Sequence, residues 1–469
     1  MSEAQPQIAL SSARGRGVLF AAVVGSGIAF LDTTVVNVAL PTLGRELHVG
    51  MAGLQWTVDA FLLTLGALLL VGGALGDRYG RRRVFVIGLI WFTLASACCG
   101  FAPNVGLLIA ARMLQGVGGA LLVPGSLALM RAVYREADQG RAIGLWSGLA
   151  GVTTALGPVL GGWLIGAWSW RLAFFINVPL GALGVWAALH FVPESRDETA
   201  TAAPDLWGAL LATVGLAGLV YALIEGPARG WQVLAIVSGG VGTAAFLAFF
   251  ALEARSRAPM LPLGIFRSLQ FTGANLTTLA VYFALSGALF LAVIELQRVL
   301  GYSPLEAGAA MTPITVLMLL LSPVAGRATL KVGHRGPMTL GPLIAGAGLL
   351  LLSRVEAGSG YLSTVLPGVG VLGLGLSITV APLTDAVFQG APQRHAGVAS
   401  GVNNAVARIA GLLAVALLPW AGGIADTDAV SKEAFTVGFH RGMWLSALAC
   451  VLGAAVAFLT IERRGPAGH

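Results

Sequence analysis

Between residues 17 and 460 the chain returns fourteen times to a long run of apolar residues with almost no charge. Each run approaches the roughly 20 residues that a helix needs to cross a 30 Å hydrocarbon core. Lipid offers no partner for backbone N–H and C=O groups, so a spanning segment must satisfy them as a helix or within a closed barrel. These runs are much longer than barrel strands and lack sustained alternation, which leaves helices. Composition agrees, with 57% hydrophobic and only 10% charged residues and a mean hydropathy of +0.84. Soluble domains carry about 25% charge. An all-α polytopic membrane protein is expected.

The expected spans are 17–40, 54–75, 84–101, 105–130, 140–163, 172–192, 206–225, 232–252, 269–294, 305–325, 337–353, 361–386, 397–420 and 440–460. Fourteen is preferred to twelve because 205–253 is too long for one span. It is interrupted by EGPARGW, a Gly- and Pro-containing exit and re-entry that marks a helical hairpin. With the N-terminus inside, nineteen of the 28 lysines and arginines fall on the inner side and seven on the outer; the other two, Arg112 and Arg408, lie within spans. That bias places both termini in the cytoplasm. The first span is too long for a signal-peptide core and lacks a clear cleavage signal, so it is expected to be retained.

The net charge of +7 is spread over short connections, which fits topology better than nucleic-acid binding. Cys98, Cys99 and Cys450 lie inside apolar runs, and the six histidines do not cluster. No metal or other cofactor is expected. A nucleotide-binding GxxxxGK[ST] loop is missing, so a proton gradient is the expected energy source. A channel would call for dense polar rings along the spans. A membrane enzyme would need a catalytic constellation, and the adjacent acids Asp197–Glu198 and Asp426–Asp428 fall in polar loops where solvation explains them.

Several residues spend energy inside the membrane. Asp32 lies about two-thirds along the first span, where insertion of an acid costs about 2.5–3.5 kcal/mol. Thr33, Thr34 and Asn37 surround it. Proton coupling or cation recognition is one explanation, and a fixed polar contact between helices is the other. Arg112, Gln115 and Gly119 fall near one face of the fourth span, where Arg112 could pair with an acid or bond to backbone carbonyls. In the fifth span Gly151, Ala155, Pro158 and Gly162 recur at helical spacing and make a thin, small-residue face suited either to gating or to ordinary close packing. Asp77, Arg78, Gly80 and Arg81 form a tight charged turn at the inner end of the second span, read as a conformational latch. Asp59, Glu225 and Glu295 lie near outer helix ends, where interfacial solvation is the plain alternative to a coupling role. Arg408, beside Asn403 and Asn404, either lines a cavity or bonds another helix. GALGDRYGRR, from Gly73, is echoed by GRATLKVGHR, from Gly326, which suggests two related six-helix units.

These motifs resemble those of the major facilitator superfamily, and more narrowly its fourteen-span drug:proton antiporter family. LDTTVVNVALP (31–41), the Gly73–Arg83 loop, Leu108–Ala120, Gly148–Gly162 and WRLAFFINVPLG (170–181) carry the resemblance in the family's order. It implies a six-plus-two-plus-six helix arrangement, with residues 1–192 and 269–469 as bundles and 193–268 as a two-helix insertion. It implies a non-enzymatic antiporter exporting amphipathic, cationic drugs or antibiotics from the cell, with protons and lipid as its other partners and one chain sufficient. Asp32, Arg112, Asn37, Gln115, Glu225, Glu295 and Arg408 are the expected proton-coupling or substrate-binding residues. Asp77, Arg78, Gly80, Arg81, Gly157 and Pro158 are the expected gate. Leu330 stands where the second loop should carry an acid, so a weaker latch is expected there. An importer on the same fold remains the alternative, and a nontransporting scaffold or receptor a more distant one.

Overall fold

The computed structural model describes residues 8–196, 205–256, 259–392, 396–424 and 431–463. The acid pairs at 197–198 and 426–428 and the side chain of Leu330 lie outside the described residues. Among the described residues, fourteen helices are long and apolar enough to cross a membrane. They are α1 (Ala13–Glu46), α2 (Met51–Tyr79), α3 (Arg81–Phe101), α4 (Val105–Val133), α5 (Glu136–Ala167), α6 (Leu172–Phe191), α7 (Leu206–Arg229), α8 (Val233–Arg255), α9 (Leu269–Arg298), α10 (Pro304–Thr329), α11 (Arg335–Leu352), α12 (Tyr361–Gln389), α13 (Gly397–Gly422) and α14 (Lys432–Thr460). Each covers one of the expected runs to within a residue, usually with added residues at one or both ends. Polar caps fix several of the starts, as at Ser12, Asn104, Asp205 and Ser268, whose side chains each accept a backbone N–H.

Packing repeats between the halves. In the first half α1 packs on α5 and α6, α2 on α4, and α3 on α4 and α6. In the second half α9 packs on α13 and α14, α10 on α12, and α11 on α12 and α14. The two halves meet along two equivalent seams, α5 with α10 and α2 with α13. The α7–α8 hairpin leans on α2 and α13, beside one seam.

Without a hydrophobic force between helices in lipid, close approach depends on small residues. A Cβ at Gly116 would lie 2.0 Å from Thr64 Oγ1, and one at Gly72 would lie 2.0 Å from the Ala120 carbonyl oxygen, so α2 and α4 touch backbone to backbone. The Thr64 hydroxyl donates to Met113 O at 2.8 Å across the same crossing. Gly341 and Gly375 do the same for α11 and α12, with Cβ positions 2.2 Å from Thr379 Oγ1 and from Ala345 N. These crossings set α4 close enough to the bundle centre for its polar face to matter.

Candidate functional site

Asp32 is wholly buried near the middle of α1, and Arg112 of α4 is only 1% exposed. Arg112 Nη1 donates to Asp32 Oδ2, forming an ion pair inside the first bundle. Gln115, one turn from Arg112, donates from Nε2 to Asp32 Oδ1 at 2.7 Å and accepts from Arg112 Nη1 at 2.8 Å. Asn177 of α6 donates to Asp32 Oδ1 at 3.1 Å and to Ser96 Oγ of α3 at 3.0 Å. Arg112 Nε donates to Thr57 O of α2 at 3.0 Å, and its guanidinium carbon stands 4.5 Å from the Phe61 ring centre. Five helices therefore converge on one carboxylate. Interhelical hydrogen bonds in membranes contribute about 0.6 kcal/mol on average and up to about 1.7. Several together, with the ion pair, are comparable to the insertion cost of the acid.

Local sequence explains why Asn177 arrives there. Pro179 cannot return an N–H to the Phe175 carbonyl, and α6 is interrupted at Ile176 between its segments Leu172–Phe175 and Asn177–Phe191. The Ser96 hydroxyl donates to the Phe174 carbonyl at 2.9 Å beside this break. Asn177 and Ser96 were not singled out from the sequence. An Asn within an apolar run was a usable signal, and it stood unremarked inside the quoted 170–181 motif.

The network adjoins a cavity of about 680 Å³ lined by Phe30, Leu69, Asp77, Arg131, Trp146 and Asn404 among others. These positions belong to the halves of α1, α2, α4, α5 and α13 nearer the face on which the chain begins, called inner from the expected topology. The opposite, outer end is sealed. A Cβ at Gly308 of α10 would lie 2.1 Å from the Pro158 carbonyl oxygen of α5, and one at Gly162 would lie 2.5 Å from the Pro304 carbonyl oxygen. On the other seam, Gln55 Nε2 of α2 donates to Val415 O at 2.7 Å and Ala416 O at 3.1 Å. Gln297 Nε2 of α9 donates to Val38 O of α1 at 3.0 Å. Gly157 faces inward to its own bundle, with a Cβ position 1.9 Å from Thr34 Oγ1. Pro158 is thus at the contact between halves, and Gly157 lets α5 lie against α1. Gly308, Gln55 and Gln297 escaped the sequence reading because their partners are backbone atoms on distant helices.

At the inner turn Arg81 pairs with Asp77 at 2.8 Å. Gly80 has φ +108°, a region that favours glycine, and a Cβ there would meet the Glu194 carboxylate at 2.7 Å. Glu194 accepts the backbone N–H groups of Arg82 at 3.1 Å and Arg83 at 3.2 Å, capping α3. Arg78 turns outward, 5.4 Å over Tyr79. In the second half, His334 Nε2 and Asp385 Oδ2 are 2.6 Å apart, so the corresponding loop is tied by a histidine and a helix-borne acid. We expect Asp77→Ala to lower transport several-fold with substrate affinity within about twofold of wild type, because Asp77 organises the turn at the cavity rim. Parallel flux and equilibrium-binding measurements check this; equal losses in both would assign Asp77 to the substrate site.

The remaining expected residues are scattered. Asn37 is half-buried and makes no bond to Asp32. Glu225 accepts from Trp56 Nε1 at 2.9 Å and pairs with Arg229 at 2.7 Å, joining α7 to α2. Glu295 is buried and accepts the Thr436 hydroxyl at 2.7 Å, between α9 and α14. Asp59 is also buried, with neither carboxylate oxygen hydrogen-bonded. Arg408 makes no hydrogen bond to another helix among the described residues and stands 5.7 Å over the Phe30 ring. Among the described residues no group of three or more His, Cys, Asp or Glu is placed to hold a metal ion.

Two repeated six-helix halves around a cavity closed at one end, with an acid–base pair buried in one half, define a secondary transporter. The chain belongs to the Major Facilitator Superfamily, whose family model matches residues 22–415. It is 39% identical to the multidrug resistance protein Stp of Mycobacterium tuberculosis, over 85% of this chain and 74% of that protein. It is 36% identical to the tetracenomycin C resistance and export protein of Streptomyces glaucescens, over 87% of this chain and 76% of that protein. Among solved structures, a peptide transporter, POT, in complex with sulfate superposes with a TM-score of 0.71 at 17% identity, covering 98% of both chains. That likeness is one of fold.

Proposed function

We propose that this chain is a proton-driven antiporter of the fourteen-span drug exporters, moving amphipathic drugs or antibiotics out of the cell. Both termini are cytoplasmic in this reading, and one chain suffices for transport. The observation that carries it is the sealed Asp32–Arg112–Gln115–Asn177 network beside a cavity open only on the inner face. A proton on Asp32 removes the charge that holds Arg112 and weakens what Gln115 and Asn177 donate to. Because those partners sit on α4 and α6, protonation loosens the packing of several helices at once, which a rocking bundle can use. Relatives named for multidrug resistance and for export of tetracenomycin C support the substrate class and direction. So does a methylenomycin A resistance protein of Bacillus subtilis, 34% identical over 87% of both chains.

Purified protein in liposomes tests this directly. With an acidic lumen, a fluorescent drug should accumulate inside while the lumen turns alkaline, and a proton ionophore should abolish both. The recovered drug should be chemically unchanged. Accumulation only when the lumen is alkaline would indicate symport and favour the importer; flux indifferent to the gradient would defeat proton coupling altogether.

A further inference from the structure

The two arginines inside the membrane are treated in opposite ways. Arg112 is wrapped by an acid, an amide, a backbone carbonyl and a ring. Arg408 sits mid-helix on α13 with no ion pair and no hydrogen bond among the described residues; the face of Phe30 lies at 5.7 Å and Tyr282 of α9 is close by. Gly401, Asn404 and Arg408 share one face of α13, and Gly401, Asn404 and Phe30 all line the inward-open cavity. The same face carries Arg408 one turn beyond that lining, over the Phe30 ring that forms part of the cavity wall.

The cavity's acids do not balance it. Asp32 is sealed away and paired with Arg112. Asp77 is paired with Arg81 nearer the inner rim, and Asp205, also on the lining, accepts the Gly208 N–H at the start of α7 at 2.8 Å. An uncompensated guanidinium among aromatic and aliphatic walls selects what can fill it. The fork of N–H donors fits a carboxylate or a phenolate, bound through charge-assisted hydrogen bonds, while Phe30 and Trp146 offer ring surfaces beside it.

We propose that Arg408 is a substrate-recognition residue that binds an anionic oxygen, and that the substrate range includes amphipathic aromatic acids. This rests on the exporter reading for its physiological sense, but the binding claim stands or falls separately. The test uses two dyes with the same xanthene ring, anionic fluorescein and cationic rhodamine 6G, titrated at mildly alkaline pH against the full chain in liposomes. Wild-type protein should bind fluorescein, and Arg408→Gln should weaken that at least tenfold while changing rhodamine affinity less than twofold. Arg408→Lys, which keeps the charge and loses the fork, should fall between. Since no ion pair or hydrogen bond is lost, Arg408→Gln should unfold close to the wild-type temperature; should it fail to fold, the Lys variant alone decides, with wild-type fluorescein affinity counting against the proposal. Absence of fluorescein binding to wild type, or equal losses for both dyes, overturns it. Rhodamine export without fluorescein binding would sink the inference and keep the exporter. Arg408-dependent fluorescein binding without gradient-driven flux of either dye would do the reverse.

Discussion

Asp32→Asn is expected to reduce gradient-driven drug accumulation in proteoliposomes to background while the protein still inserts. Asn nearly preserves the volume and can still meet Gln115 or Asn177, but it cannot titrate. It also strips Arg112 of its countercharge. Removing one partner of a buried pair costs about 3–5 kcal/mol, moderated here because Thr57 O, Gln115 Oε1 and the Phe61 ring remain on the guanidinium. The single variant should therefore melt well below wild type. Asp32→Asn combined with Arg112→Gln leaves no lone charge, so stability should largely return while accumulation stays at background. That separation is the informative result, because a purely structural Asp32 would have its transport rescued along with its stability. Thermal unfolding in detergent, with drug and proton flux at matched protein amounts, checks both halves. Wild-type accumulation by the single variant would refute the coupling role.

The second large effect is expected at the outer seal. A leucine at Gly308 would bring its Cβ to 2.1 Å from the Pro158 carbonyl oxygen, where non-bonded carbon contacts settle near about 3.5 Å. Backbone carbonyls inside a helix cannot rotate away, so α5 and α10 must separate by about an ångström. Overpacking of this kind costs about 1–3 kcal/mol, a shift of roughly five- to 150-fold against the outer-closed state. Transport should fall by at least the lower figure, since a cycle needs both closed states. Spin labels at Ala167 and Leu305, on the outer ends of the two helices, should report a longer distance in Gly308→Leu than in wild type. Gly166→Leu provides the control, because a Cβ there meets nothing within 4 Å. Unchanged distances with normal transport would show that this crossing is not the seal.

Some of this was legible before any coordinates. Asp32 and Arg112 stood out because charge in hydrocarbon is expensive, and that cost is visible residue by residue. Pro158 stood out because it removes a backbone donor wherever it falls. The turn at Asp77–Arg81 announced itself through its glycine and its charges. By contrast, Glu225, an acid near a helix end, carried a weaker signal than Asp32 and joins the α7–α8 hairpin to Trp56. Its burial could not be told from its sequence neighbours. Gly308 carried no signal of its own, since a glycine in a lipid helix is ordinary and only the facing Pro158 carbonyl makes it special.

By itself, the sequence determined the solvent, the number of spans and the places where charge must be compensated. These are one-body properties: each residue's transfer cost into lipid, summed along a run, decides whether that run crosses. Tertiary structure alone decided which compensation was used. Asp32 meets Arg112 across 80 residues and Asn177 across 145, while Arg408, just as costly to bury, meets no acid among the described residues and lies over Phe30. Such choices depend on helix crossings, which small residues permit at many positions and only the packed whole selects.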